Sequence, residues 1–300
     1  MNNAVVGRTA AGLVAYMKER GLTSVVIGRD ARHGSEDFTQ TSAEIFSGAG
    51  MKVYVLPRPL PTPVLAFAVN ELGVDVGVMV TASHNPPQDN GYKVYLGGTV
   101  DGIEYRGSQI ITPTDKSISN QIDQVTSLKS QPRGTDWEVL DEEIVHKYTT
   151  RTALLGPRPA DLKIVYTAMH GVGTKTLQRV FHKAGFASLI LVDAQADPDP
   201  DFPTVAFPNP EEKGALDIAI ALAESQKADV LIANDPDADR LAIAVPDSTG
   251  DWIALRGDQI GALLGWWMIE RANLAGSKIS GTFANSIVSS MLLEPIAKSA

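Results

Sequence analysis

No cysteine occurs in the 300 residues, so disulfides, thiolate metal sites and cysteine nucleophiles are all excluded. Such a chain suits a reducing compartment, and the cytoplasm is the expected location. Long apolar runs are also missing. The longest, residues 260–269, stops at Glu270-Arg271, too short for a membrane span, and no basic stretch with an apolar core opens the chain, so neither a membrane nor a targeting signal is expected. Positive charge is in deficit: 26 Lys and Arg face 35 Asp and Glu, for a net charge of -9. That balance argues against nucleic acid as a partner and leaves room only for a local basic site. The five histidines, His33, His84, His146, His170 and His182, have no metal-ligand spacing. Three nucleotide and hydrolase signatures are absent too: the GxGxxG pattern fails at Thr176, and neither a Walker A sequence nor a GxSxG elbow occurs. Nothing in the sequence fixes an oligomeric state.

What remains is an ordinary globular composition, 44% hydrophobic and 20% charged, long enough for two domains and part of a third. A helix is expected over residues 1–20, with Val6, Ala10, Leu13, Val14 and Met17 on one face. Strands follow at 24–28, 52–56 and 74–80. Helices lie between them at 36–47, capped by Ser35, and 64–72, capped by Thr62 with Pro63 at its first position. A turn at 88–91 returns the chain into a strand at 92–96, and 137–150 reads as a connecting helix. The same alternation recurs: strands at 163–167, 188–192, 229–233 and 241–245, and helices at 174–184 and 215–225. A helix at 258–271, a strand at 281–284 and a helix at 286–297 complete the chain. The expected fold is α/β, with repeated three-layer α/β/α lobes and mixed, largely parallel sheets. The expected lobes are 1–150, 151–253 and 254–300, with a break at the Pro-rich 156–159.

Two stretches stand out at strand ends, where ligands bind in α/β sheets. The first is Thr81-Ala82-Ser83-His84-Asn85-Pro86-Pro87, which puts the Ser83 hydroxyl past an apolar strand in a loop stiffened by two prolines. Ser83 is the candidate for covalent chemistry, against the alternative of a polar turn that only satisfies its own backbone. The second is Asn234-Asp235-Pro236-Asp237-Ala238-Asp239-Arg240. Carboxylates at alternate positions fall to one side of an extended backbone and offer the hard oxygens that magnesium prefers. An EF-hand is excluded, because Arg240 and Pro246 stand where that loop needs Gly and Glu. Phosphoryl transfer needs a hydroxyl, a cation and arginines together, and Arg29 and Arg32 follow the first strand at the edge where Ser83 lies. Lys93 is a candidate acid or base if a positive neighbourhood lowers its pKa. The run Met169-His170-Gly171-Val172-Gly173-Thr174 opens a helix, so its amides are a weaker candidate for holding an anion.

Gly28-Arg29-Asp30-Ala31-Arg32, residues 81–87, Gly91-Tyr92-Lys93 and residues 235–240 resemble, in order and spacing, the signature motifs of the α-D-phosphohexomutases. Residues 209–216 and 166–173 resemble the phosphoglucomutase, phosphomannomutase and phosphopentomutase-like branch. The resemblance implies a magnesium enzyme that moves a phosphoryl group between the 1- and 6-positions of a hexose phosphate. The carriers would be a phosphoserine at Ser83 and a bound sugar bisphosphate, which also acts as activator. It implies Ser83, Arg29, Lys93 and His84 as catalytic residues, and Ser83, Asp235, Asp237 and Asp239 around the metal. Arg32, Asn90, Arg240 and His170 would meet the phosphosugar. Two alternatives stay open at this stage. One is a phosphotransferase of the haloacid dehalogenase kind with Asp235 as nucleophile, and the other a sugar-phosphate-binding fragment without turnover. The family's N-terminal Gly-Thr-Ser/Ala-Gly-x-Arg-Gly strand is absent before Met1. Its sugar-reading loop and last lobe would lie beyond Ala300, so a fragment is expected.

Overall fold

The computed structural model describes residues 1–156 and 160–299. The expected break at 156–159 therefore lies, Gly156 aside, outside the described residues. In chain order the first lobe holds α1 (Asn3–Glu19), β1 (Ser24–Arg29), α2 (Ser35–Gly48), β2 (Lys52–Val55), α3 (Thr62–Leu72), β3 (Val76–Val80) and β4 (Tyr92–Leu96). It continues with a small hairpin, β5 (Thr99–Val100) and β6 (Ile103–Glu104), then β7 (Ser108–Gln109), α4 (Thr114–Asp123), β8 (Glu138–Val139) and α5 (Glu143–Ala153). Six strands form one sheet in the order β7-β4-β3-β1-β2-β8. Its central strands, β1 and β3, are almost wholly apolar because both their faces are buried. Val25, Ile27, Val76, Val78 and Val80 pack under α1 and α2, whereas Val26 and Met79 pack with Val64, Leu65 and Ala68 of α3. β1 pairs in parallel with β2 on one side and with β3 on the other. The crossovers thus run in opposite directions from β1, which opens a crevice where the loops after β1 and β3 part.

The second lobe repeats this plan with β9 (Ile164–Thr167), α6 (Thr174–Ala184), β10 (Ile190–Leu191), α7 (Asp193–Ala196), α8 (Asp217–Gln226), β11 (Val230–Asn234), β12 (Leu241–Pro246) and β13 (Trp252–Leu255). The strand order is β10-β9-β11-β12-β13, parallel through β9 and antiparallel beyond β11. Its switch point lies between β9 and β11, so the loops at 168–173 and 235–240 leave the sheet side by side. α9 (Gly257–Leu274) and α10 (Leu293–Lys298) follow, and Gly265 lies against Leu293.

Four local expectations are corrected. Gly34, not Ser35, is the N-cap of α2, in a left-handed conformation; the Ser35 hydroxyl goes to Asp30 instead. Pro61 precedes α3 in the cap position, and the Thr62 hydroxyl leaves its helix for Asp237. Residues 137–150 are not one helix, because β8 pairs with β2 before α5 begins. Residues 281–284 form no strand, and the last helix is limited to α10. Among the described residues no helix is long and apolar enough to cross a membrane.

Candidate active site

The two switch points face each other, and Ser83 stands between them. Its Oγ donates to Oδ2 of Asp235 at 2.7 Å, and His84 Nδ1 lies 3.3 Å from the same oxygen. Ser83 holds a left-handed backbone, φ 53°, which costs a non-glycine residue about 1–2 kcal/mol unless its surroundings impose it. They do: its N–H donates to Thr81 Oγ1 at 2.9 Å, and Thr81 Oγ1 donates to buried Asp30 at 2.7 Å. Burial and the nearby Arg240 charge lower the pKa of His84, leaving a neutral imidazole beside the hydroxyl.

Across the crevice Asp235, Asp237 and Asp239 each offer an oxygen within 4.8 Å of the others. The side chains of Asp235 and Asp237 are wholly buried. Burial, with the charge of Asp237 next to it, pushes the Asp235 carboxyl above the usual range. Burial also opposes the charge on Asp237, but the Lys93 ammonium and Thr62 outweigh it and hold this carboxyl low. Oδ2 of Asp237 accepts from Thr62 Oγ1 at 2.6 Å and Lys93 Nζ at 2.7 Å, while Oδ1 is buried without a partner. A buried carboxylate oxygen with no donor, in a cluster of three, fits a hard divalent cation such as magnesium. The loop is propped from below. Tyr166 donates to Asn234 at 3.0 Å, Val172 N–H donates to the Pro236 carbonyl at 2.9 Å, and the Arg240 N–H donates to Asp235 at 3.0 Å.

The other expected residues are distributed differently. Lys93 Nζ reaches Asp237 and Asp239, at 2.7 and 2.6 Å. Burial opposes its charge, but the two carboxylates outweigh that and raise its pKa, so the positive neighbourhood expected to lower it is not there. Arg240 Nε stands 3.9 Å from Asp235 with its side chain half-exposed, free to turn toward the crevice. Arg29 lies at the crevice edge, 3.5 Å from Glu36. Arg32 was expected on the substrate, yet its guanidinium is buried against carbonyls of the Ser83 loop. Asn90 likewise turns inward, donating to the His33 carbonyl and Ser35 Oγ and accepting from Gly91 N–H. His170 is buried on Thr204 at 2.8 Å, and the amides of 170–172 donate to Gln195, Ala168 and Pro236, so these three are already taken. Thr62, Thr81 and Asp30 were missed as site residues. Their types are common at caps and strand ends, and only the meeting of four distant loops reveals their part.

The chain has clear relatives. Residues 1–129 match the family described as phosphoglucomutase/phosphomannomutase, alpha/beta/alpha domain I, and residues 146–250 match its domain II. A probable phosphomannomutase of Haemophilus influenzae is 50% identical over 302 residues, covering 99% of this chain and 60% of that protein. A human phosphopentomutase is 37% identical, covering 99% of this chain and 52% of its own length. The crystal structure of a phosphoglucomutase/phosphomannomutase family protein from Burkholderia thailandensis superposes with a TM-score of 0.73 at 26% identity, over 90% of this chain and 56% of that one. The chain thus spans 52–60% of the length of these curated relatives.

Proposed function

This chain belongs to the phosphoglucomutase/phosphomannomutase family, and from that premise we propose that it carries the phosphoryl-transfer centre of a phosphosugar mutase. The observation that carries the reading is the Ser83 hydroxyl, 2.7 Å from Asp235 in a three-carboxylate cluster, two of whose members are buried and one of which has an oxygen to spare. Family membership also removes the haloacid dehalogenase alternative, in which Asp235 was the nucleophile. The lobes are taken as 1–150, 151–253 and 254–300.

In this reading Asp235, Asp237, Asp239 and the phosphate carried by Ser83 hold magnesium. When bound, the ion supplies positive charge that offsets the phosphoryl oxygens. A sugar hydroxyl oxygen attacks phosphorus, the bond from phosphorus to Ser83 Oγ breaks, and a sugar bisphosphate results, while the proton of the sugar hydroxyl passes by way of His84 Nδ1 to the departing Ser83 Oγ. After the sugar turns, Ser83 Oγ attacks the other phosphate and its ester bond to the sugar breaks. The Ser83 proton passes to His84 Nδ1, 3.3 Å away, and from there to the departing sugar oxygen. Lys93 offsets the charges of Asp237 and Asp239, and Arg240, beside Asp235, with Arg29, beside Glu36, would turn to meet the transferring group. The proposed substrate is a hexose 1- or 6-phosphate, with the bisphosphate as activator.

Intact-mass measurement after incubation with glucose 1,6-bisphosphate and magnesium tests this. One phosphate should appear on the parent and none on Ser83→Ala. Phosphate at another residue sinks the mechanism. Sugar-phosphate binding without any adduct would favour a module that binds and does not turn over.

A further inference from the structure

Arg32 has five N–H groups: four, on Nη1 and Nη2, donate to backbone carbonyls, and the fifth, on Nε, is buried without a hydrogen-bond partner although the Asp30 carboxylate lies beside it. Nη2 donates to the carbonyls of Ser83 at 2.6 Å and Asn85 at 2.7 Å. Nη1 donates to those of Pro86 at 2.9 Å and Asp89 at 3.4 Å. Nε lies 3.2 Å from the Asp30 carboxylate, and the whole side chain is 1% exposed. One face of the guanidinium is covered by the Phe202 ring, 4.9 Å away, which comes from the second lobe. The four Nη donors are taken, and Nε, the one donor without a hydrogen bond, is sealed against Asp30 in a side chain that is buried, so the guanidinium offers no exposed donor to a phosphate.

The carbonyls are arranged for this cation. Beyond the Asn85 N–H on the Ala82 carbonyl and the Asp89 N–H on the Pro86 carbonyl, both at 3.0 Å, Pro86 and Pro87 have no N–H with which to add further bonds that close the loop. The guanidinium replaces those bonds, and its planar fork is the only side chain able to take four carbonyls at once. Asp30 completes the frame: it holds Arg32 by charge and Thr81 by hydrogen bond, and Thr81 accepts the Ser83 N–H. Ser83 is therefore gripped by its own N–H and carbonyl in a left-handed conformation, with its hydroxyl left for Asp235.

We propose that Arg32 is a positioning residue that fixes the Ser83 loop as a template, with Phe202 as its lid, and that it makes no contact with substrate phosphate. The proposal deepens the mutase reading and rests on it. Its consequence is kinetic: loss of the clamp misaims the hydroxyl without removing any charge that the substrate meets. A misplacement of about 1 Å is worth about 100-fold in rate.

The test compares the parent, Arg32→Lys and Phe202→Leu. The maximal rate of Ser83 phosphorylation by glucose 1,6-bisphosphate should fall about 100-fold in Arg32→Lys, because an ammonium cannot fork over four carbonyls. The bisphosphate concentration giving half that rate, and the magnesium affinity of the carboxylates, should stay within about threefold, as expected for residues that do not bind either. In Phe202→Leu, which keeps the carbonyl bonds, the rate should fall by about tenfold or less. Amide hydrogen exchange at residues 81–91 should speed up in both variants, with the strands β1 and β3 unchanged. A loss confined to half-saturation would make Arg32 a phosphate ligand and overturn the proposal, as would unchanged exchange in Phe202→Leu and Arg32→Lys. If the parent takes no phosphate, the mutase reading fails while exchange still decides the clamp. If Arg32→Lys does not fold, Phe202→Leu decides it by the same two measurements.

Discussion

Asp237 has one carboxylate oxygen bound twice and the other bound by nothing, although both are buried. Such an atom costs about 1–3 kcal/mol until something positive reaches it, so the vacancy in its bonding is the best local sign of a cation. Asp237→Asn should keep the fold and lose most of the stabilisation by magnesium, seen as a smaller rise in melting temperature across a magnesium titration. An equal rise in variant and parent would remove the triad as the site. His170 makes a different prediction, about acid. Burial lowers its pKa below the ordinary 6.5, so the folded chain resists a proton that the unfolded chain accepts. Its contribution is complete above pH 6.5 and is lost as pH falls through that value toward the folded pKa, at up to about 1.4 kcal/mol per pH unit. Melting scans from pH 8 to 5 should show a shallower acid loss in His170→Gln than in the parent. The residue types of this site could be read in advance for Ser83 and the aspartates, because a stiff serine loop and alternating carboxylates are rare patterns. Arg32 had no such mark: an arginine at a strand end looks the same whether its partners are phosphates or carbonyls.

The loops are held as firmly by what packs under them as by hydrogen bonds. Gly171 touches Pro236, and a Cβ at 171 would stand 2.4 Å from the Pro236 Cα and carbonyl oxygen, with backbone on both sides and no side chain to move aside. Gly171→Ala should therefore push the 235–240 loop out of place, costing about 1–3 kcal/mol in stability. Magnesium affinity measured by calorimetry should drop with it. Unchanged affinity would show that the loop keeps its shape without this support. The prop was visible in the sequence only as a glycine-rich run before a helix, which invites an anion-binding reading; packing against a second loop leaves no mark in either sequence. Strands followed the same rule. β1 and β3, buried on both faces, announce themselves as apolar runs, while β8, two residues long and exposed, exists only because β2 offers it an edge. Residues 281–284 pair with no strand edge, and no strand forms there.

Taken whole, the molecule divides its proposed chemistry between two lobes. Ser83 and Lys93 come from the first and the carboxylates from the second, joined also by Thr62 on Asp237 and by Phe202 on Arg32. The repeated alternation of strand and helix made both lobes legible, but periodicity within each lobe says nothing about how two lobes meet. A phosphate on Ser83 adds about −1.5 to −2 charges beside the triad, so phosphorylation should tighten magnesium binding by about tenfold or more at neutral pH. Calorimetry on the chain before and after incubation with glucose 1,6-bisphosphate measures this, and Ser83→Ala should show no change. Equal affinities would mean that the phosphoserine is not part of the metal site. The distance between these partners along the chain is 152 residues, and it has a meaning in time. A ribosome adding about 5–20 residues per second makes Ser83 roughly eight to thirty seconds before it makes Asp235. Through that interval the emerging hydroxyl has neither the acceptor that orients it nor the carboxylates proposed for a cation, so in this reading the first lobe waits for the second to be synthesised before its chemistry can begin.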